Sequence, residues 1–286
     1  MISILLTQDE SEKLVKYAHS NKLVIPVKSE YELIRIKAAG KPMILYKSNK
    51  LVHEPSEESK LILERVLQSK DEFEITIGTD EVGKGEWYGP LVIVGTAMTV
   101  KEIDEMRKSG IADSKTLSKN KIMELGELTL NRNIKRKSRI FSPEKYNEKY
   151  EEFKQEGKTL NDMMAWAHAE IVKDLIEEHK GKKIRVVIDK FDFQKTNSRL
   201  FDKKRERVVD SSKVNVVQIS RGEAEIPVAT ASIIAKSIFE KEVDSLENKL
   251  NVKLRSADPC EVPKSILPQV SKLHFKNVAR CFENRD

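Results

Sequence analysis

The stretch "ITIGTDEVGKGEWYGPLVIVG", residues 75–95, decides how this chain is read. Its opening continues a run from Phe73 in which Phe73, Ile75 and Ile77 share one face, the alternation of a half-buried strand. Leu91 begins a second apolar run, "LVIVGTAMTV", and the Gly-rich connection between the runs is short enough to pair them antiparallel. Two adjacent acids, Asp80 and Glu81, interrupt the first strand. Neighbouring residues of a regular strand face opposite ways, so both carboxylates reach one point only if the strand ends there. The expectation is that Gly83 and Gly85 release the chain from the ladder and that the longer Glu81 side chain curls back.

Outward from this stretch the pattern stays mixed. Towards the C-terminus, "SRIFS" near residue 140 adds a third strand. A helix fits "LNDMMAWAHAEIVKDLIEEHK", with Met164, Ala167, Ile171 and Leu175 on one face and Gly181 as its stop. Strands "KIRVVIDK" and "VNVVQIS" follow, then a helix from Pro227 through "PVATASIIAKSIFEKEVDSLENKL". An antiparallel start followed by alternating helices and strands predicts an α/β fold, a mixed sheet flanked by helices. Towards the N-terminus, "ISILL", a helix from Thr7, the strands "YELIRIKAA" and "PMILYKSNKLVH", and a helix in "SEESKLILERVLQ" form a self-contained β-α-β-β-α unit. The polar "SKDE" at 69–72 sets the boundary near residue 70, giving domains 1–70 and 71–286.

Composition narrows the function classes. Of 286 residues 34% are charged and 39% hydrophobic, and the apolar residues recur in periodic blocks, which excludes a disordered chain. The net charge of +6 fits a polyanion partner without demanding one. Cys260 and Cys281 are too few for a disulfide framework and too far apart for a paired metal motif, so a reducing compartment is the default and no zinc site is expected. The N-terminus lacks the basic start and small-residue cleavage site of a secretion signal, and no apolar run reaches membrane-spanning length, so the expected location is the cytoplasm.

The acids carry the chemistry. Asp80 follows the first core strand, and Asp189 ends "RVVID". Sites of α/β sheets sit at strand ends, and a buried charge there calls for a neutralising cation, although a solvated loop accounts for either acid singly. Glu223 and Glu225, in "RGEAEIPVATASIIAK", precede a helix start, where the helix dipole alone favours carboxylates. Carboxylates that converge without a His or Cys cluster point to Mg²⁺ or Mn²⁺, and a pair of such ions suits phosphodiester hydrolysis. In "GKG", Gly83 and Gly85 let backbone amides approach a phosphate and Lys84 adds a charge, or the three form a plain turn. "DSKTLS", with Ser114 and Lys115, reads equally as a helix cap and an exposed lysine. Trp87 and Tyr88 offer rings for a base or ribose, or simply pack.

Taken in order, these motifs resemble bacterial ribonuclease HIII, one of the type 2 ribonucleases H, over nearly the whole chain. The resemblance rests on "GTDEVGKGEWYGPLV", "ADSKTLS", "LNDMMAWAHA", "VVIDKF", "ATASIIAK" and "KLHFKN", and Lys84 favours HIII over HII, which typically has Arg there. It implies a ribonuclease H-like catalytic domain and a small N-terminal α+β domain, similar to the TATA-box-binding protein, that binds substrate. It further implies an endoribonuclease that cuts the RNA strand of RNA/DNA hybrids by a two-metal-ion mechanism, leaving 5′-phosphate and 3′-hydroxyl ends. Asp80, Glu81, Asp189 and Glu223 would be catalytic and metal-binding. Gly83, Lys84, Gly85, Ser114 and Lys115 would contact the hybrid. The usual fourth carboxylate is Asp, so Glu223 departs from the pattern, with Glu225 as a competitor two residues off the family spacing. No obligate protein partner is implied, and a monomer is expected.

Overall fold

The computed structural model describes residues 2–6, 8–38, 40–67, 73–111, 117–189, 214–219 and 225–283. Two compact units, Met1–Glu72 and Phe73–Asp286, divide the chain. The first runs β1 (Ile2–Leu5), α1 (Gln8–Ser20), β2 (Val24–Ile25), β3 (Glu32–Ala38), β4 (Lys41–Tyr46), β5 (Lys50–His53) and α2 (Glu57–Leu67). Its strands pair antiparallel in the order β1-β5-β4-β3-β2. The run "PMILYKSNKLVH", read as one strand, is two. Asn49 takes the left-handed conformation at φ 64 and donates its N–H to the Tyr46 carbonyl, closing a hairpin that an asparagine accommodates at little cost. Leu14, Ala18, Ile36, Leu45 and Leu51 are fully or almost fully buried in this unit's own core.

The second unit runs β6 (Ile75–Val82), β7 (Leu91–Met98), α3 (Val100–Lys108), α4 (Lys119–Asn131), β8 (Lys135–Phe141), α5 (Pro143–Gln155), α6 (Leu160–Glu178), β9 (Ile184–Asp189), β10 (Val214–Ile219) and α7 (Ile226–Leu250). Short helical turns follow at Pro259–Glu261, Leu267–Val270 and Lys276–Ala279. The sheet order is β10-β9-β6-β7-β8, with β6, β7 and β8 antiparallel and β9 and β10 parallel to β6, the expected mixed sheet. Helix α6 covers the face bearing Ile75, Ile77 and Ile93, and α7 covers the face bearing Val92 and Val94. Helices α3, α4 and α5 are additional to the sequence reading. In α5, a charge-rich segment, Tyr146, Tyr150 and Phe153 form a narrow aromatic stripe against the core, set among lysines and glutamates.

Gly78 sets the distance between β6 and α7. A Cβ there would lie 2.4 Å from the Val228 backbone nitrogen and 2.6 Å from the Pro227 carbonyl carbon, both main-chain atoms that cannot swing aside. Gly78→Ala is therefore expected to cost about 3 kcal/mol, read as a lower denaturation midpoint at unchanged m-value. An unchanged midpoint would show that α7 is not held this closely.

One cysteine expectation is corrected. Cys260 and Cys281 form a disulfide, with their Cα atoms 5.1 Å apart. Their sequence separation of 21 allows the segment to fold back on itself, and separation along the chain sets no limit on proximity in space. Among the described residues no helix is long and apolar enough to cross a membrane.

Candidate active site

Strand β6 does not end at its acids, contrary to the sequence reading. On one side it pairs with β7 through Asp80–Val94, Glu81–Ile93 and Val82–Val92. On its other side the parallel pairing with β9 stops at Gly78–Val187. A strand has two hydrogen-bonding edges, and only the β9 edge is released where the acids begin. The two residues that follow the last pair on each strand bring Asp80 and Asp189 level, on neighbouring strands. The side chain of Asp189 is outside the described residues, as are Glu223, Ser114 and Lys115 altogether.

The pleat sends Asp80 and Glu81 to different anchors. Asp80 accepts a hydrogen bond from Ser232 on α7. Glu81 Oε2 lies 3.2 Å from Nε2 of His168 on α6, whose Nδ1 is 2.9 Å from the Thr79 hydroxyl. Lys84 Nζ stands 3.9 Å from Glu81 Oε1. The two carboxylates nevertheless feel each other. Burial, with a smaller push from Glu81 and against the Ser232 hydrogen bond, raises the Asp80 carboxyl from 3.8 to about 6. Burial pushes the Glu81 carboxyl upward too, but the His168 hydrogen bond and charge, helped by Lys84, outweigh it and the net shift is downward.

Gly83 makes the turn out of β6. Its φ is +92, and a Cβ would lie 2.1 Å from the Pro90 carbonyl oxygen, so no other residue fits without rebuilding the loop. A Cβ at Gly85 would meet nothing, which leaves room above that backbone. Trp87 and Tyr88 pack against the C-terminal segment, with Tyr88 also beside Phe239 at 6.2 Å between ring centroids. Glu225 is engaged elsewhere. Its two oxygens accept from Arg185 at 2.8 and 3.0 Å, near the start of β9 and well before Asp189 at its end.

Sequence reasoning passed over His168 and Ser232 as site neighbours. His168 falls on the buried stripe of α6 and reads as core. Its one signal is a titratable group among methionines and alanines. Ser232 sits in a run of small residues whose value is close approach to β6, visible only once helix and strand are in place.

A five-stranded mixed sheet of this order, with acidic residues at the released end of its two central parallel strands, defines a ribonuclease H-like nuclease. The family model for ribonuclease HII matches residues 77–278. Ribonuclease HIII of Chlamydia caviae is 30% identical over 285 residues, covering 92% of this chain and 91% of the relative. That of Chlamydia abortus is 33% identical over 222 residues, covering 73% and 70%. Bst-RNase HIII, solved in complex with Mn²⁺, superposes with a TM-score of 0.64 over 98% of this chain and 97% of its own, at 18% identity, which speaks to fold alone. The chain belongs to the type 2 ribonuclease H family, in its ribonuclease HIII branch. It is a ribonuclease H, an endonuclease of RNA/DNA hybrids.

Proposed function

We propose that this ribonuclease H hydrolyses the RNA strand with two divalent cations held among Asp80, Glu81, Asp189 and Glu223, leaving 5′-phosphate and 3′-hydroxyl ends. The observation that carries the reading is Asp80. It is buried beside a second carboxylate, Glu81, at the point where β6 and β9 part and Asp189 ends its strand, and this crowding, burial first, pushes its carboxyl up to about 6. A divalent cation relieves that crowding, and an all-oxygen donor set suits Mg²⁺ or Mn²⁺. When bound, such a pair stabilises the attacking and leaving oxygens of an in-line displacement.

The chain's own residues do the rest. Ser232 fixes the direction of the Asp80 carboxylate and His168 that of Glu81, and Glu81 reaches the shared ions by its longer side chain, beside the strand edge that β9 has left. Gly83, Lys84 and Gly85 contact the hybrid next to the carboxylates, Lys84 as a point charge and Gly85 through exposed backbone. Selection of RNA over DNA rests on 2′-hydroxyls read across the minor groove. Glu223 completes the acid set, since Glu225 is committed to Arg185. The unit 1–72 adds affinity through phosphate contacts. The enzyme works as a monomer, in the cytoplasm.

An end-labelled RNA/DNA hybrid, beside duplex DNA and duplex RNA, tests this with Mg²⁺, Mn²⁺ or chelator and with Asp189→Asn as control. Chelator-sensitive cutting confined to hybrid RNA, with 5′-phosphate ends that a phosphatase removes, is the expected result. Tight hybrid binding without cleavage would replace the reading with a silent binding protein, and cutting of duplex DNA with a resolvase-like nuclease.

A further inference from the structure

Among the described residues of the catalytic unit, Lys272 is the largest charged side chain that is fully buried. Its ammonium donates to three backbone carbonyls, Glu86 at 3.0 Å, Tyr88 at 2.9 Å and Gly89 at 2.8 Å, so all three N–H bonds are used. The backbone around it repeats the grip. Lys272 N–H donates to the Trp87 carbonyl at 2.7 Å, Gly89 N–H donates to Val270 at 2.9 Å, and Tyr88 bridges Ser271 antiparallel. Residues 86–89 are the direct continuation of Gly83–Gly85.

Lys272 is itself held from behind. Asn147 on α5 donates to the Ser271 carbonyl at 2.9 Å and accepts from Leu273 N–H at 2.9 Å, clasping the backbone on both sides of the lysine. The Cys260–Cys281 bridge closes the segment that contains these residues. Burial pushes the Lys272 ammonium down to about 7, with Glu86 opposing. Three carbonyls converging on one ammonium fix the curvature of the loop and turn its acceptors inward, away from any polyanion alongside.

We propose that Lys272 is a positioning residue for hybrid binding: through the carbonyls of Glu86, Tyr88 and Gly89 it holds the Gly83–Gly89 loop in the shape that receives the phosphate backbone. This rests on the reading that Gly83–Gly85 contacts the hybrid. The role does not touch the carboxylates, so it acts on KM for hybrid more than on kcat.

Steady-state kinetics on full-length wild type, Lys84→Ala, Lys272→Met and Asn147→Ala test it, with Trp87 emission followed in a Trp166→Phe background. Lys272→Met keeps chain length and loses the donor. It is expected to raise KM about tenfold or more with kcat within about threefold, and to shift Trp87 emission to the red as the loop admits water. Asn147→Ala is expected to move KM the same way by a smaller factor. If Lys84→Ala leaves KM unchanged, the loop reading falls and the inference with it. If Lys84→Ala raises KM while folded Lys272→Met does not, the positioning role alone is overturned. Should Lys272→Met not fold, Asn147→Ala decides: a raised KM with red-shifted Trp87 supports the role, and an unchanged KM overturns it.

Discussion

Asp80→Asn is expected to lose hybrid cleavage by on the order of 10³-fold or more while making the metal-free protein more stable at neutral pH. The loss follows from removing a charge where the site is built to present one. The gain follows from the same charge. A carboxyl raised from 3.8 to about 6 costs about 3 kcal/mol when ionised in the folded state. Asn keeps an oxygen for Ser232 and has no charge to bury. The sign follows from linkage. The folded Asp80 binds its proton more tightly than the unfolded chain does, so its contribution is favourable below about 3.8 and is lost as pH rises through about 6. In chelator, the advantage of the variant over wild type should therefore be full at pH 7 and shrink towards pH 4. Urea denaturation at those two pH values checks it. An Asn variant less stable at pH 7, or one that still cleaves, would remove Asp80 from the centre of the site.

Deleting residues 1–72 is expected to raise KM for hybrid by roughly tenfold to a hundredfold and to leave kcat within about twofold. The unit has its own core, and so does the remainder. Its sheet carries a groove lined by Lys28, Arg35, Lys37 and Lys41 next to Ile25 and Pro26. Two of those cations are already matched, Arg35 by Glu32 and Lys41 by Glu54, which leaves a moderate rather than strong field for phosphates. For every phosphate that the truncated enzyme no longer neutralises, the slope of log KM against log salt should flatten by a little under one. A truncated enzyme with unchanged KM and unchanged salt slope would deny this unit any part in binding. A lowered kcat at unchanged KM would instead assign it to the chemistry.

Much of the catalytic unit is legible in one dimension, because periodicity and breakers are local properties. The alternation before Asp80, the apolar runs of β7, β9 and β10, and Pro227 at the start of α7 are each written in adjacent residues. The acids Asp80, Glu81 and Asp189 stand out for the same reason, as charges where a strand pattern calls for none. Helix α5 stands out less, since its stripe is only Tyr146, Tyr150 and Phe153 among lysines and glutamates, behind the Ser142 cap.

Partners distant in the chain are another matter. That β6 runs past its acids to Val82 depends on β7 remaining on one edge after β9 has left the other, which no local pattern encodes. Glu225 looks like a candidate ligand until Arg185, forty residues away, is brought against it. Nothing in the residues around His168, Ser232 and Lys272 marks what they touch. Their roles come from atoms as much as 186 residues distant, placed by a sheet whose two faces and two edges are filled by different parts of the chain. Local pattern dictates many of the elements and marks the acids that stand in them. Packing dictates what each acid touches, because a hydrogen bond is settled by distance in space and sequence order constrains that distance only within a helix turn or a strand pair.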